Sequence, residues 1–106
     1  MPQDFSQRGG ARVGHSYWRA SNATWPFASL QATPQTLTLK VLMKQYTFER
    51  KDIRQLKRCR GIVSAGLQIV HLRKDYPPFI VFWTFNFDLL KSELQKLGFN
   101  VEDNGS

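Results

Sequence analysis

Cysteine, acidic residues and long apolar runs are scarce in this sequence, and each scarcity excludes something. The one cysteine, Cys59, offers no intramolecular disulfide, which fits a reducing compartment. No apolar run approaches the ~20 residues of a helical membrane span, which excludes an integral helical membrane protein. The opening stretch MPQDFSQRGGARVGHS has no apolar h-region and no glycine at position 2. Neither a secretory signal nor N-myristoylation is therefore expected, and the expected location is cytoplasmic, with peripheral membrane attachment as the variant. Metal-ligand spacings, a phosphate-binding loop and a GxSxG elbow are missing, and SAGL at 64–67 is no substitute. His15 and His71 are far apart, and Cys59 has no assigned base to activate it. The expectation is no enzyme, no cofactor, no metal and no small-molecule substrate.

What is present is one domain's worth of chain with a basic middle. The 106 residues carry 15 Lys and Arg against 8 Asp and Glu, a net charge of +7, and such a length buries a single core. The charge is concentrated in residues 40–75, where ten Lys and Arg face three acids. Arg54, Lys57, Arg58 and Arg60, joined by Arg73 and Lys74 from a neighbouring loop, form the candidate site for an anion or an acidic partner. Arg suits bidentate capture of phosphate or carboxylate, whereas clustered charge alone gives salt-sensitive attraction. A simple solvated face is the ordinary reading of such a block.

Hydropathy patterning divides the chain into strands and one helix. Residues 1–22 are rich in Gly, Ser, Gln and Arg without an apolar period, and read as a flexible arm in which Tyr17 and Trp18 mark a docking point. WPFASLQA alternates weakly, with Pro26 suggesting an edge or a strand start. TLTLKVLM alternates cleanly, with Leu37, Leu39, Val41 and Met43 on one face; KQ at 44–45 breaks it, and YTF completes a hairpin. ERKDIRQLKRCRG is ambiguous, since Ile53, Leu56 and Cys59 share a helical arc while the basic residues suit an edge strand. GLQIVHL returns to alternation, RKDYPP turns, and PPFIVFWTF forms a further strand. NFDLLKSELQKLGF then repeats Phe87, Leu90, Leu94 and Leu97 at helical spacing, with Asn86 as cap and Gly98 as stop. Several antiparallel strands followed by one C-terminal amphipathic helix, with no βαβ alternation, make the chain mainly β.

The ordered pattern TLTLKVLMKQYTFERKDI, GLQIVHLRKDYPPFIVFWT and LLKSELQKLGF resembles the small bacterial proteins with a pleckstrin-homology-like domain. The resemblance implies a bent antiparallel barrel or sandwich of about six to seven strands over residues 23–101, capped by the C-terminal helix, with 102–106 a polar tail. It implies that 53–60 is mostly strand, allowing one helical turn near Asp52. It implies no activity. Eukaryotic relatives of the fold often bind phosphoinositides through basic residues of the first hairpin loop, but the corresponding ATPQT has none.

Two functions follow as expectations. The first is a non-catalytic module for protein binding or self-assembly, since PPFIVFWTF is apolar on both faces. Alternation puts Phe79, Val81, Trp83 and Phe85 on one side and Ile80, Phe82 and Thr84 on the other, and the reading takes Ile80 and Phe82 as needing cover from Tyr17 and Trp18 or from a second subunit. The second is binding of an anionic membrane or nucleic acid through residues 54–60 and 73–74.

Overall fold

The computed structural model describes residues 4–16, 18–60 and 65–103. They form a mainly β molecule in which a sheet curls into a half-barrel and one helix follows near the C-terminus. The strands are β1 (Phe5–Gly14), β2 (Ala20–Ala32), β3 (Thr36–Val41), β4 (Lys44–Glu49), β5 (Ile53–Arg60), β6 (Ala65–His71), β7 (Phe79–Thr84) and β8 (Val101–Glu102), with α1 (Phe87–Lys96) between the last two. Among the described residues they make one eight-stranded sheet in the order β4-β3-β2-β1-β7-β6-β5-β8. Two strands lie outside the sequence reading. One is β8, which pairs with β5 in parallel, so the sheet is not wholly antiparallel.

The other is β1, and it overturns the expectation of a flexible arm. Residues 5–14 are a ten-residue strand inserted between β2 and β7. Midway along its inward side, Gly9 and Ala11 are small where the neighbouring strands approach closely. A β-carbon at Gly9 would lie 2.1 Å from the Trp83 carbonyl oxygen and 2.8 Å from the Phe82 ring. Small, Gly-rich segments look like linkers in sequence, yet close backbone approach also demands them. The ladder with β2 shifts register between Gly9 and Ala11, and the cis Trp25–Pro26 peptide falls in the skipped part of β2. Pro26 thus sits inside a central strand where no ladder bond to β1 is needed, not at an edge.

The hairpin turn also lies earlier than the alternation implies. Val41 pairs with Lys44, so Leu42 and Met43 form the turn, with Leu42 at φ 54° and Met43 fully exposed. The period-2 pattern runs past the end of β3 without a turn signal to stop it. The ambiguous segment resolves as expected from the resemblance: a 3-10 turn at Arg50–Asp52, then strand from Ile53.

One core fills the inside of the curl. Leu30, Leu37, Leu39, Phe48, Leu56, Leu67, Ile69, Ile80 and Phe82 are buried in it, with Phe87, Leu90 and Leu94 of α1. The helix begins where predicted, since Leu89 N donates to Asn86 Oδ1 at 3.1 Å. It ends at Gly98, φ 94°, and Phe99 folds back to donate to the Leu94 carbonyl at 2.9 Å.

Edge strand β4 is joined to the β6–β7 loop by side chains. Thr47 N of β4 donates to Tyr76 Oη at 3.2 Å, and Arg73 Nη1 donates to the Thr47 carbonyl at 3.2 Å. Tyr76 stands edge-on to Tyr46 and Phe48, with centroids 5.2 and 5.3 Å apart. Glu49 N donates to Asp52 Oδ2 at 3.1 Å. Edge strands ordinarily offer free N–H and C=O groups to other chains. At Thr47 and Glu49 those groups are already taken.

Candidate interaction surface

The six basic residues singled out from the sequence do not converge. Successive strand residues point to opposite faces, so β5 distributes its cations on two sides. Arg58 shares the parity of buried Leu56; its guanidinium lies 4.9 Å over the Phe87 ring and 3.2 Å from Asp103, which Lys91 also approaches at 3.7 Å. Arg54 lines a pocket of about 160 Å³ with Arg50, Leu56, Phe99 and the acid Glu102. Lys57 faces outward with Gln55 and Cys59, Arg60 is exposed at the strand end, and Lys74 is exposed in the β6–β7 loop.

Arg73 is committed to the fold. Its Nε donates to Asp75 Oδ1 at 2.9 Å, Asp52 lies at 3.8 Å, and the guanidinium sits 4.4 Å over the Tyr76 ring. The hydrogen bond to Asp75 raises the Arg73 pKa, and the same bond holds the Asp75 carboxyl below its ordinary value. His71 sits beside this network. Its Nδ1 accepts from Arg73 N at 3.0 Å, which leaves Nε2 to donate to the Pro77 carbonyl at 2.8 Å. The ring is therefore a satisfied structural histidine. An arginine the sequence did not single out, Arg50, does comparable work at the other end. It donates to the carbonyls of Pro34 at 3.0 Å and Gly98 at 2.6 Å and lies 4.6 Å over the Phe99 ring, tying β3 and β4 to the end of α1.

The apolar interface expected at Ile80 and Phe82 is core instead. Both are fully buried inside the curl. Trp18, in the turn between β1 and β2, is 85% exposed and does not cover them; Tyr17 lies outside the described residues. Because both faces of β7 are apolar, periodicity could not say which one turns inward. A reversal of facing moves every side chain to the other side, so the outward set is Phe79, Val81, Trp83 and Phe85. Trp83 lies flat along the sheet: a β-carbon at Gly66 would meet its Cε3 at 2.7 Å.

This outer face has two notable regions. The first is an apolar rim: Leu42 N donates to the Phe27 carbonyl at 3.1 Å, bringing the β3–β4 turn against β2, and Trp25, Phe27, Leu42 and Met43 are 54, 57, 70 and 100% exposed. The second is electrostatic. The six strands β1, β2, β3, β5, β6 and β7 contain no Asp or Glu. Cross-strand register places Arg8, Ser29, Lys40 and Gln45 in one row and Lys57, Gln68, Val81, Arg12 and Asn22 in another. Asp4 precedes β1, and the other acids lie in turns, at β4, in the helix or after it; Asp52, Asp75, Glu93 and Asp103 pair with Arg58, Arg73, Lys91 and Lys96.

Cys59, also outward, has its thiol pKa raised by partial burial, which nearby Lys57 offsets in part. It is a poor nucleophile at neutral pH. No helix of the described residues is long and apolar enough to cross a membrane. Compared with protein-family models and with curated proteins, the chain matches none.

Proposed function

We propose that the chain is a non-catalytic interaction module of the pleckstrin-homology-like type whose partner is a protein, engaged through the apolar rim. Support for the fold type comes from a curled, largely antiparallel sheet followed by a C-terminal helix. The observation that carries the function is the rim itself. Four large apolar side chains from β2 and the β3–β4 turn are more than half exposed together, and exposed apolar clusters of this kind mark interaction sites. Lys40 and Lys44 flank the turn, so the partner surface that fits is an apolar centre ringed by carboxylates. Pairing through the β4 edge is a weaker route, because Tyr76, Arg73 and Asp52 occupy its backbone groups at Thr47 and Glu49.

Crosslinking through the amines of Lys40 and Lys44, read by mass spectrometry, tests this reading. Crosslinks to a partner chain or to a second copy should disappear in Phe27→Ser with Leu42→Ser while the unfolding midpoint stays put. A strictly monomeric chain whose crosslinks ignore both substitutions refutes it.

A further inference from the structure

We propose that the acid-free outer face of β5, β6, β7 and β1 is a binding surface for single-stranded nucleic acid, with Trp83 as its stacking platform. This goes beyond the rim reading and is independent of it. Residues of both signs ordinarily intersperse on a protein surface, yet here six strands exclude acids altogether while Arg8, Arg12, Lys40 and Lys57 point out from them. These four of the chain's 15 Lys and Arg share the outer side of the sheet.

Geometry narrows the polyanion. Lys57 and Arg12 stand in one cross-strand row through Gln68 and Val81, three strand spacings or about 14 Å apart; beyond Lys57 the row ends on Glu102 of β8. Arg12 is oriented by a 2.8 Å hydrogen bond from Nη1 to Asn22 Oδ1. The neighbouring row carries Trp83, paired with Gly66 on one side and Gly10 on the other. Neither glycine adds a side chain beside the indole; its six-membered ring lies across Gly66, and the β2 backbone at Ala23–Trp25 fills the space over Gly10. Trp83 is half-buried, and a partly exposed flat aromatic on a basic face is an arrangement on which an unpaired base stacks. A duplex hides its bases, and this face has no projecting helix or ribbon to enter a groove. A lipid surface would be entered by the exposed Leu42–Met43 turn, whereas Trp83 lies along the sheet.

The test is fluorescence anisotropy with labelled oligo(dT) and oligo(U) of about 12 nucleotides. Binding is expected at low salt, and about three to four phosphate contacts predict a loss of about 20- to 50-fold between ~50 and ~200 mM salt. Trp83→Leu should weaken binding about 5- to 150-fold, with Trp83→Phe restoring most of it. Arg8→Glu, on an exposed side chain, and Lys57→Glu, on a half-buried one, should weaken it and flatten the salt dependence, whereas Lys74→Glu, off this face, should not. Absence of binding at low salt overturns the proposal. So does equal sensitivity to Lys74→Glu, indifference to Trp83→Leu, or tighter binding to phosphatidylserine vesicles or poly-glutamate than to either oligonucleotide. None of these outcomes bears on the rim, whose crosslinks are read separately.

Discussion

Substituting Gly9 by Ala tests the most consequential feature of the fold, the insertion of β1 between β2 and β7. The added methyl would sit 2.1 Å from the Trp83 carbonyl oxygen and under 3 Å from the Phe82 ring, against an optimal contact of about 3.5 Å. Backbone cannot rotate away as a side chain can, so β1 must move off β7. Overpacking of this kind costs about 1–3 kcal/mol, and weakening the bonds around Gly10↔Trp83 and Ala11↔Phe82 adds about 1 kcal/mol each. Reduced freedom of the unfolded chain returns about 0.4–1 kcal/mol. The net loss is about 2–4 kcal/mol, a large part of the ~5–15 kcal/mol that holds an ordinary domain. With a urea m-value of about 1.5 kcal/mol/M, the midpoint should fall by about 1–3 M. Ser6→Ala, on the outer side of the same strand, should stay within about 0.5 kcal/mol of the parent. A Gly9→Ala midpoint indistinguishable from the parent would mean that residues 5–14 do not pack as described, and would return them to the status of an arm.

Other consequences can be checked on the same material. Tyr76→Phe removes the acceptor for Thr47 N at the seam and should cost about 1 kcal/mol, with faster amide exchange at Thr47 as the local readout. Gln7 Oε1 is buried without a partner while its Nε2 donates to the Asn86 carbonyl at 3.3 Å; Gln7→Met should therefore be neutral or stabilising by about 1 kcal/mol, and a loss above that would mean the amide is properly satisfied. Cys59 should react with iodoacetamide more slowly than a free thiol at neutral pH, its rate rising only above the ordinary thiol range. A raised thiol pKa contributes stability below the unfolded value of about 8.5 and loses it as pH rises through the folded value, so Cys59→Ala should flatten the alkaline limb. Asp75 runs the other way: its lowered pKa contributes stability above about 3.9 that is lost as pH falls through the folded value. Asp75→Asn should reduce the acid-side slope of the unfolding midpoint.

Legibility in the sequence followed the range of the interactions involved. Helix α1 was readable end to end because its signals are local: Phe87, Leu90 and Leu94 recur at helical spacing, Asn86 caps and Gly98 stops. The hairpin of β3 and β4 was readable as a pair but misplaced at its turn, because Leu42 adopts φ 54° without a residue type that announces it. The candidate site fared less well. Charge could be counted along β5, but whether Arg58 meets solvent or Asp103 depends on a residue 45 positions away. The rim was invisible as a rim, since Phe27 and Leu42 become neighbours only through β2–β3 pairing.

The sequence by itself determined a mainly β chain, a C-terminal amphipathic helix and a surplus of positive charge, because each follows from local periodicity or composition. Tertiary structure alone decided three things: that a Gly-rich stretch is a central strand, that Ile80 and Phe82 rather than Phe79 and Trp83 turn inward, and that Lys57 turns outward while Arg58 turns to Asp103. The physical reason is common to all three. A strand's facing and its need for small residues are set by the neighbours it packs against, and those neighbours lie far away along the chain.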